Sequence, residues 1–162
     1  VEVIRAENVT SVAIAFLHSY VNPENEQAAA AYLKELMPNI AVTMSSDVLP
    51  QIKEFERTST TVVNGYVKPL AQQYLANLDG GLQSNGYKAP LHIMLSNGGL
   101  GSTTTAGNFP IRLIESGPVA GAIVGRQLAE LMNIQDVLAF DMGGTTAKAC
   151  LIRDQALPPW AT

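Results

Sequence analysis

A turn with two glycines, an aspartate before them and two threonines after them is the segment of this sequence best suited to chemistry. Its residues are Phe140-Asp141-Met142-Gly143-Gly144-Thr145-Thr146, and apolar runs at 137–140 and 147–152 adjoin it. Glycines leave backbone N–H groups uncovered for phosphate oxygens, and a carboxylate suits a magnesium ion or its water. The threonine hydroxyls add donors. This pattern suits a phosphate-binding turn in which Asp141 holds the metal.

This turn joins two predicted strands rather than a strand and a helix, so it differs from a P-loop and from a Rossmann fingerprint. A glycine pair between two strands is also an ordinary hairpin signal, and an aspartate before such a turn commonly caps it. The turn alone leaves both interpretations open. In either case we expect residues 137–140 and 147–152 to pair as an antiparallel hairpin, with Asp141 at the end of its first strand.

The elements before this turn alternate between predicted strands and predicted helices, which is typical of the α/β class. A strand within 8–20, a helix that begins after Pro23 and a strand at 40–44 give a βαβ-like start. A long amphipathic helix follows and is expected to end near 79–81. Its apolar side is predicted from residues at spacings of three and four: Val63, Tyr66, Val67, Leu70, Tyr74 and Leu78.

The second half of the chain begins with a predicted third strand at 91–95, presumed to lie in a parallel sheet. The Gly/Ser/Thr-rich segment 98–107 is expected to be a polar loop outside the core. A helix is predicted over 115–132, and the small residues near its start allow another backbone to come close.

Composition narrows the class of protein. The chain has 162 residues, a formal net charge of −4 and no cluster of lysines and arginines, so we expect no nucleic-acid partner. Its apolar runs are shorter than the roughly 20 residues that a membrane helix needs, and a cytoplasmic location is the default expectation. Cys150 is the single cysteine, which excludes an internal disulfide framework. Because the sequence begins with Val1, we expect it to be an interior piece of a longer protein.

Five blocks of the sequence resemble, in order and approximate spacing, the family of hydantoinase A, ATP-dependent 5-oxoprolinase and the acetone carboxylase subunit. These blocks are VAIAFLHSY, SSDVLPQIKEFERTSTTVVNGYVKPL, IMLSNGGL, ESGPVAGAIVG and FDMGGTTAK. The resemblance implies an actin-like ATPase, in which two ribonuclease-H-like domains clamp ATP between two phosphate turns. The expected fold is therefore a ribonuclease-H-like α/β fragment with a mixed sheet and flanking helices.

The resemblance also divides the chain. Residues 1–136 would belong to the first domain, including the connecting helix 115–132, and residues 137–162 would form the first hairpin of the second domain. FDMGGTT would be the second phosphate turn. The family's first phosphate turn and its adenosine-binding segment do not occur in this sequence, so these 162 residues are not expected to form a complete nucleotide site by themselves.

The function implied by the resemblance is an ATP-dependent hydrolysis of cyclic amides, in which ATP phosphorylates the substrate carbonyl and so allows ring opening. The cofactors would be ATP and Mg²⁺; Asp141 would hold the metal, and Gly143, Gly144, Thr145 and Thr146 would cradle phosphate. The substrate would be a small cyclic amide or ketone, and the partner a B-type subunit. The alternatives are an acetone-carboxylase-type subunit, a sugar- or acetate-kinase-like phosphotransferase, and a non-catalytic module that docks a partner subunit.

Weaker candidates for the substrate site or the interdomain cleft come from three other segments. They are Glu56, Arg57 and Thr58; Ser96, Asn97, Gly98 and Gly99; and Glu115. The first group equally fits a helix cap with surface charges. The second follows a presumed parallel strand at its carboxyl end, where open α/β sheets bind ligands, although Asn-Gly is also a common turn. Glu115 equally fits an acid that the dipole favours at a helix start.

Lys148 departs from the commonest family pattern, which has a second aspartate shortly after the glycines. A lysine at this place either meets a phosphate directly or points into solvent. We expect Ala147, Ala149 and Leu151 to face the core and Lys148 to lie on the other face of the strand. Because that face is predicted to be partly buried, Lys148 needs an anionic partner, for which a phosphate or Asp141 is the nearest candidate.

Overall fold

The computed structural model describes residues 1–158 and has the mixed α/β architecture predicted from the sequence. The chain forms two compact units, which are described separately: residues 1–91 with 102–111, and residues 92–101 with 112–162. In chain order the helices are α1 (Glu2–Ala6), α2 (Glu24–Leu36), α3 (Ser45–Val48), α4 (Glu54–Ser84), α5 (Thr103–Asn108) and α6 (Ser116–Met132). The strands are β1 (Ser11–Ile14), β2 (Ala41–Met44), β3 (His92–Met94), β4 (Leu100–Ser102), β5 (Val137–Met142) and β6 (Ala147–Ile152).

The first unit opens with the predicted strand–helix–strand motif. Strands β1 and β2 pair in parallel, with Ser11 opposite Ala41 and Ile14 opposite Met44, and α2 connects them. The core between α2 and this sheet consists of Ile14, Ala30, Leu33, Ile40 and Val42. Strand β1 is shorter than the predicted 8–20, because the chain turns after Ile14 and a side chain of α2, Glu26, binds the Phe16 N–H at 2.8 Å.

Helix α4 buries mainly polar and small residues and exposes most of its large apolar ones. Its buried residues are Arg57, Thr61, Asn64, Gly65 and Leu75. The predicted apolar side was wrong: Tyr66 is 85% exposed, Leu70 75% and Tyr74 63%. The reason is the close approach of the sheet, since a Cβ on Gly65 would already lie 3.5 Å from Ser11 Oγ. Bulky apolar side chains do not fit on that side of the helix.

The long helix extends beyond its predicted end at 79–81 and continues through Pro69. Proline has no N–H, so the carbonyl four residues earlier, that of Gly65, loses its usual helical donor. The Ser11 hydroxyl donates to this carbonyl at 2.6 Å. A side chain of β1 thus replaces the missing hydrogen bond and fixes α4 on the sheet.

The segment 98–107 is ordered secondary structure, so the prediction of a loop outside the core was wrong. It contains β4 and most of α5, and Ala106 is fully buried. Ser102 caps α5 through its hydroxyl, which accepts a hydrogen bond from the Thr105 N–H at 3.1 Å. Small residues are required here because α5 lies against α4: a Cβ on Gly107 would come within 3.2 Å of the Gln72 side chain.

In the second unit, α6 packs across the hairpin of β5 and β6. The contact is close at Gly125, where a Cβ would lie 3.2 Å from Ala139 Cβ and from Ile152 Cδ1. Ile152 is fully buried. The small residues predicted to permit a close approach therefore do so toward the hairpin.

Among the helices described for residues 1–158, none is long and apolar enough to cross a membrane.

Candidate functional site

The turn at 143–146 connects two antiparallel strands, as predicted. Strands β5 and β6 pair in register, with Asp141 opposite Lys148 and Met142 opposite Ala147. The Gly143 N–H donates to the Thr146 carbonyl at 3.0 Å and closes the turn. Asp141 lies one residue before the end of β5, and no helix begins at Gly144. The prediction of the hairpin is confirmed.

The two glycines of the turn are not required by the conformation of the chain. Neither Gly143 nor Gly144 has a positive φ, and a Cβ on either would meet no atom within 4 Å. Residues 143–146 are all exposed. Their backbone is therefore accessible to a bound group, and a phosphate at this turn would itself be the reason for excluding side chains.

The hairpin has one face against α6 and one exposed apolar face. Directly opposed residues share a face, so Asp141 and Lys148 lie on the same side as Ala139 and Cys150, which is the side that α6 covers. The prediction that the other alternate set of β6 faces the core was wrong, since Ala147, Ala149 and Leu151 are exposed. The buried alternation in β6 runs from Lys148 through Cys150 to Ile152, because α6 approaches on that side.

Lys148 forms an ion pair with Glu115, the residue that precedes α6. The sequence named a phosphate or Asp141 as the nearest anion and missed this pairing, since Glu115 is 33 residues away along the chain. Glu115 adopts a left-handed conformation (φ 65°, ψ 12°), and its side chain does not cap the helix. The Lys148 side chain is 37% exposed, so this pair by itself stabilises the fold by about 0–1 kcal/mol.

The Asp141 carboxylate has no hydrogen-bond or ion-pair partner within the described part of the chain. It is exposed and stands beside the turn. In residues 1–158, no group of three or more His, Cys, Asp and Glu side chains is placed to hold a metal ion. A single unpaired carboxylate such as that of Asp141 fits Mg²⁺, which usually keeps several waters and binds one or two carboxylates together with phosphate oxygens.

Two grooves flank the contact between α6 and the hairpin. One, of about 350 Å³, is lined by Gly121, Leu128, Phe140, Asp141 and Lys148 among others. The other, of about 840 Å³, is lined by residues that include Glu115, Pro118, Cys150 and Arg153. The larger volume is in the range of small-molecule sites. The ion pair of Glu115 and Lys148 thus joins the linings of both grooves.

Residues 96–99 form a packed turn in the same unit. They connect β3 to β4, and such a short connection makes a hairpin because parallel strands need a crossover of about a dozen residues. The presumed parallel strand was therefore wrong. The Asn97 side chain accepts the Gly99 N–H at 3.0 Å, and the Ser96 N–H donates to the Arg112 carbonyl at 2.7 Å. Gly98 has φ +82° and lies against Ile123 of α6, so glycine is required here by conformation and packing.

The first unit holds Glu56, Arg57 and Thr58, and the structure separates their roles. Glu56 and Thr58 are exposed, and the Glu56 carboxylate lies 4.0 Å from Lys53 Nζ. Arg57 is fully buried, so its interpretation as a surface charge was wrong. Its partners are Ser45 Oγ at 3.1 Å, the Gln51 carbonyl at 2.9 Å, the Phe16 carbonyl at 2.7 Å, the Glu54 carboxylate and the Tyr20 ring, whose centroid is 5.4 Å away.

Sequence reasoning missed the buried carboxylate that completes this cluster. Glu26 of α2 is fully buried and accepts the Ser45 hydroxyl at 2.6 Å, while Ser45 accepts from Arg57. Burial acts to raise the pKa of the Glu26 carboxyl, but hydrogen bonds from Ser45 and from the Ser46 and Phe16 N–H groups outweigh it and hold the pKa below its usual range. An acid in the first turn of a helix gave no signal of this role.

We expect Glu26→Gln to destabilise the first unit at pH 7 by about 1–3 kcal/mol, because it removes a hydrogen-bonded carboxylate. The folded pKa is lowered, so the stabilisation is present above the unfolded pKa near 4.5 and is lost as the pH falls below it. Urea unfolding of both proteins at pH 7 and at acid pH should show a difference that shrinks on acidification. Glu24→Gln, at an exposed position of the same helix, is the matched control.

The fold and the hairpin define an α/β chain with a candidate phosphate turn, and comparisons with known proteins identify its family. The model of the hydantoinase/oxoprolinase family matches residues 57–158, and the model of the N-terminal region of that family matches residues 1–37. This chain belongs to the hydantoinase/oxoprolinase family, which confirms the resemblance found in the five sequence blocks.

The relatives of this chain include enzymes named for different substrates. The chain is 44% identical to an uncharacterized protein of Methanocaldococcus jannaschii (93% of this chain, 22% of that protein) and 36% identical to the caprolactamase subunit alpha of Pseudomonas jessenii (90% and 21%). It is 34% identical to the 5-oxoprolinase of Saccharomyces cerevisiae (90% and 11%). The chain therefore spans about a fifth or less of the length of these curated relatives.

Two solved structures share the fold. The ATP-dependent caprolactamase of Pseudomonas jessenii superimposes with a TM-score of 0.79 at 34% identity, over 93% of this chain and 22% of that one. The nucleotide-free structure of acetone carboxylase, from work on ATP-dependent acetone carboxylation, gives 0.78 at 31% identity, over 94% and 22%. The mixed α/β fold thus occurs in two ATP-dependent enzymes.

Proposed function

We propose that this chain is part of an ATP-dependent hydrolase of cyclic amides and contributes a phosphate turn to its nucleotide site. The observation that carries the proposal is the turn itself: accessible backbone at two glycines that the chain does not require, beside a carboxylate without a partner. The relatives named 5-oxoprolinase and ATP-dependent caprolactamase support this choice of reaction. An amide carbonyl is a poor electrophile, and transfer of a phosphoryl group to its oxygen makes ring opening by water possible.

In this proposal the residues of the turn position charge rather than form covalent bonds. Gly144, Thr145 and Thr146 donate hydrogen bonds to phosphate oxygens, and Gly143, whose N–H closes the turn, leaves room for the phosphate. Lys148 adds a positive charge at the same edge of the hairpin. Asp141 holds Mg²⁺ directly or through water. The metal would supply neutralisation of the charge that develops on the transferring phosphoryl group. Glu115 lies at the edge of the same site through its pairing with Lys148.

The corresponding fold proposal is the ribonuclease-H-like, actin-like ATPase. Residues 1–136 would belong to its first domain, with α6 as the connecting helix, and residues 137–162 would open the second. The close packing of α6 on the hairpin at Gly125 supports a connecting helix that lies against the start of the second domain. The weaker site candidates, Ser96 to Gly99, Glu56 and Thr58, stay predictions for the substrate side of the complete enzyme.

A second candidate function is docking of a partner subunit, and the exposed stripe of α4 favours it. The stripe consists of Val62, Tyr66, Leu70 and Tyr74, four residues apart along the helix. Between residues 58 and 78 the single charged side chain is Lys68, which turns inward to the Val42 carbonyl at 2.8 Å. A stripe of this composition would pack against an uncharged apolar surface of a partner protein. A relative named as subunit alpha of caprolactamase supports a B-type partner subunit.

Turnover of ATP by the purified full-length protein tests the proposal. We expect a cyclic amide, either a hydantoin or 5-oxoproline, to stimulate ATP hydrolysis and to yield the ring-opened product. Stimulation by acetone with carboxylated product would instead indicate the acetone-carboxylase type. A stable phosphorylated product would indicate a kinase-like phosphotransferase, and ATP-independent assembly without turnover would indicate the docking module.

A further inference from the structure

Asp141 and Lys148 stand directly opposite each other in the antiparallel pair of β5 and β6. Directly opposed side chains have Cβ atoms about 4.5–5.5 Å apart, and opposite charges in such positions attract. If no other acid were within reach, Lys148 would therefore be expected to pair with Asp141. A lysine on that carboxylate would occupy it and repel a cation.

The structure shows another pairing. Lys148 Nζ contacts the Glu115 carboxylate, and Asp141 is left without a partner among the described residues. Glu115 reaches Lys148 from the start of α6, which is fixed to the hairpin through the close contact at Gly125. Its left-handed backbone (φ 65°) is a conformation that residues other than glycine, asparagine and aspartate seldom adopt. A side chain held in this conformation and unused for capping indicates a constraint other than the helix start.

We propose that Glu115 is a positioning residue that holds Lys148 away from Asp141, so that the Asp141 carboxylate stays free for a divalent cation carried by nucleotide phosphates. This inference rests on the proposed function of the turn. Its physical basis is competition for one carboxylate: while Lys148 is paired with Glu115, the Asp141 carboxylate stays unpaired and attracts a cation. Without Glu115 the remaining pair is neutral, and Lys148 competes for the carboxylate.

A double-mutant cycle in the full-length protein tests this role. The probe is Mn²⁺ together with a non-hydrolysable ATP analogue, and the readout is Mn²⁺ affinity from electron paramagnetic resonance. We expect Glu115→Gln to weaken Mn²⁺ binding by about tenfold when Lys148 is present, and by less than about twofold in a Lys148→Met background. The direct effect of the Glu115 charge on the cation is present in both backgrounds, so the difference between them reports the effect of Glu115 that acts through Lys148.

Two further variants secure the interpretation. Glu115→Asn removes the same charge but suits the left-handed backbone, so it should fold at least as well and weaken Mn²⁺ binding to the same extent. Glu130→Gln removes a carboxylate from another ion pair of α6, with Arg126 at 3.4 Å, and should leave Mn²⁺ affinity unchanged. Unfolding temperatures of all variants check that they are folded.

Equal losses on Glu115→Gln in both backgrounds, or no loss in the presence of Lys148, would overturn the positioning role. Failure of the proposed function has a different signature in the same assay. If Asp141→Asn leaves the affinity for Mn²⁺ at its wild-type value, Asp141 does not hold the metal, whatever the behaviour of Glu115.

Discussion

Asp141→Asn in the full-length protein is expected to lower ATP-dependent turnover by at least about a hundredfold, because it removes the charge that holds the metal near the transferring phosphoryl group. The fold should be unaffected, since the Asp141 side chain is exposed and has no partner in the described residues. Steady-state ATP hydrolysis with a cyclic amide measures the effect, and the unfolding temperature measures the integrity of the fold.

Asp79→Asn is the matched control for this variant. Asp79 lies on α4 in the other unit, where its carboxylate accepts the Gln83 side-chain N–H at 3.0 Å. Its replacement should leave turnover within about twofold of wild type, as for ordinary surface substitutions. A loss of less than about threefold for Asp141→Asn would exclude a metal-holding role for that carboxylate.

Arg57→Leu is expected to cause the largest loss of stability, about 3 kcal/mol or more in the first unit, because it removes one partner from a buried network of charges and hydrogen bonds. Arg57 is fully buried, and its loss leaves the Ser45 hydroxyl and two carbonyls without their donor. Hydrogen-exchange mass spectrometry of the amides of α4 should show exchange about a hundredfold faster in the variant.

Arg5→Leu, in the same unit, controls for the loss of an arginine. Arg5 is exposed and donates one hydrogen bond, to the Leu36 carbonyl at 2.8 Å. We expect this change to cost about 1 kcal/mol or less. Similar exchange rates in Arg57→Leu and Arg5→Leu would contradict the structural importance assigned to the buried cluster.

Local signals were enough to predict the hairpin and the strand–helix–strand start. Two glycines between apolar runs, and Pro23 before a helix, act over a few residues and need no knowledge of distant contacts. The same is true of the family, because five blocks in a fixed order identify it without any structure.

The face of α4 was not predictable from periodicity. Apolar spacing shows that a helix has an apolar side. Which side of the helix packs on the sheet depends on the space available as well as on polarity. Here Gly65 and the Ser11 hydroxyl set a distance that only small residues tolerate, so the apolar side faces away from this sheet. Segment 98–107 was missed for a related reason, since a composition typical of loops also provides a helix cap and a close helix contact.

Of the features compared, the partners of charged residues depend most on tertiary structure. Lys148 pairs with Glu115, and Arg57 with Ser45, through contacts that join different elements of each unit. Sequence identified Lys148, Glu115 and Arg57 as candidates but could not assign their partners. The pairing of Glu115 with Lys148 is the detail that gives Asp141 its free carboxylate.

A structure of the full-length protein with Mg²⁺ and a non-hydrolysable ATP analogue tests the central claim most directly. We expect phosphate oxygens within about 3.2 Å of backbone N–H groups at 144–146, with the metal or its water bound to the Asp141 carboxylate. Phosphates that bind elsewhere, about 8 Å or more from this turn and from Asp141, would contradict it.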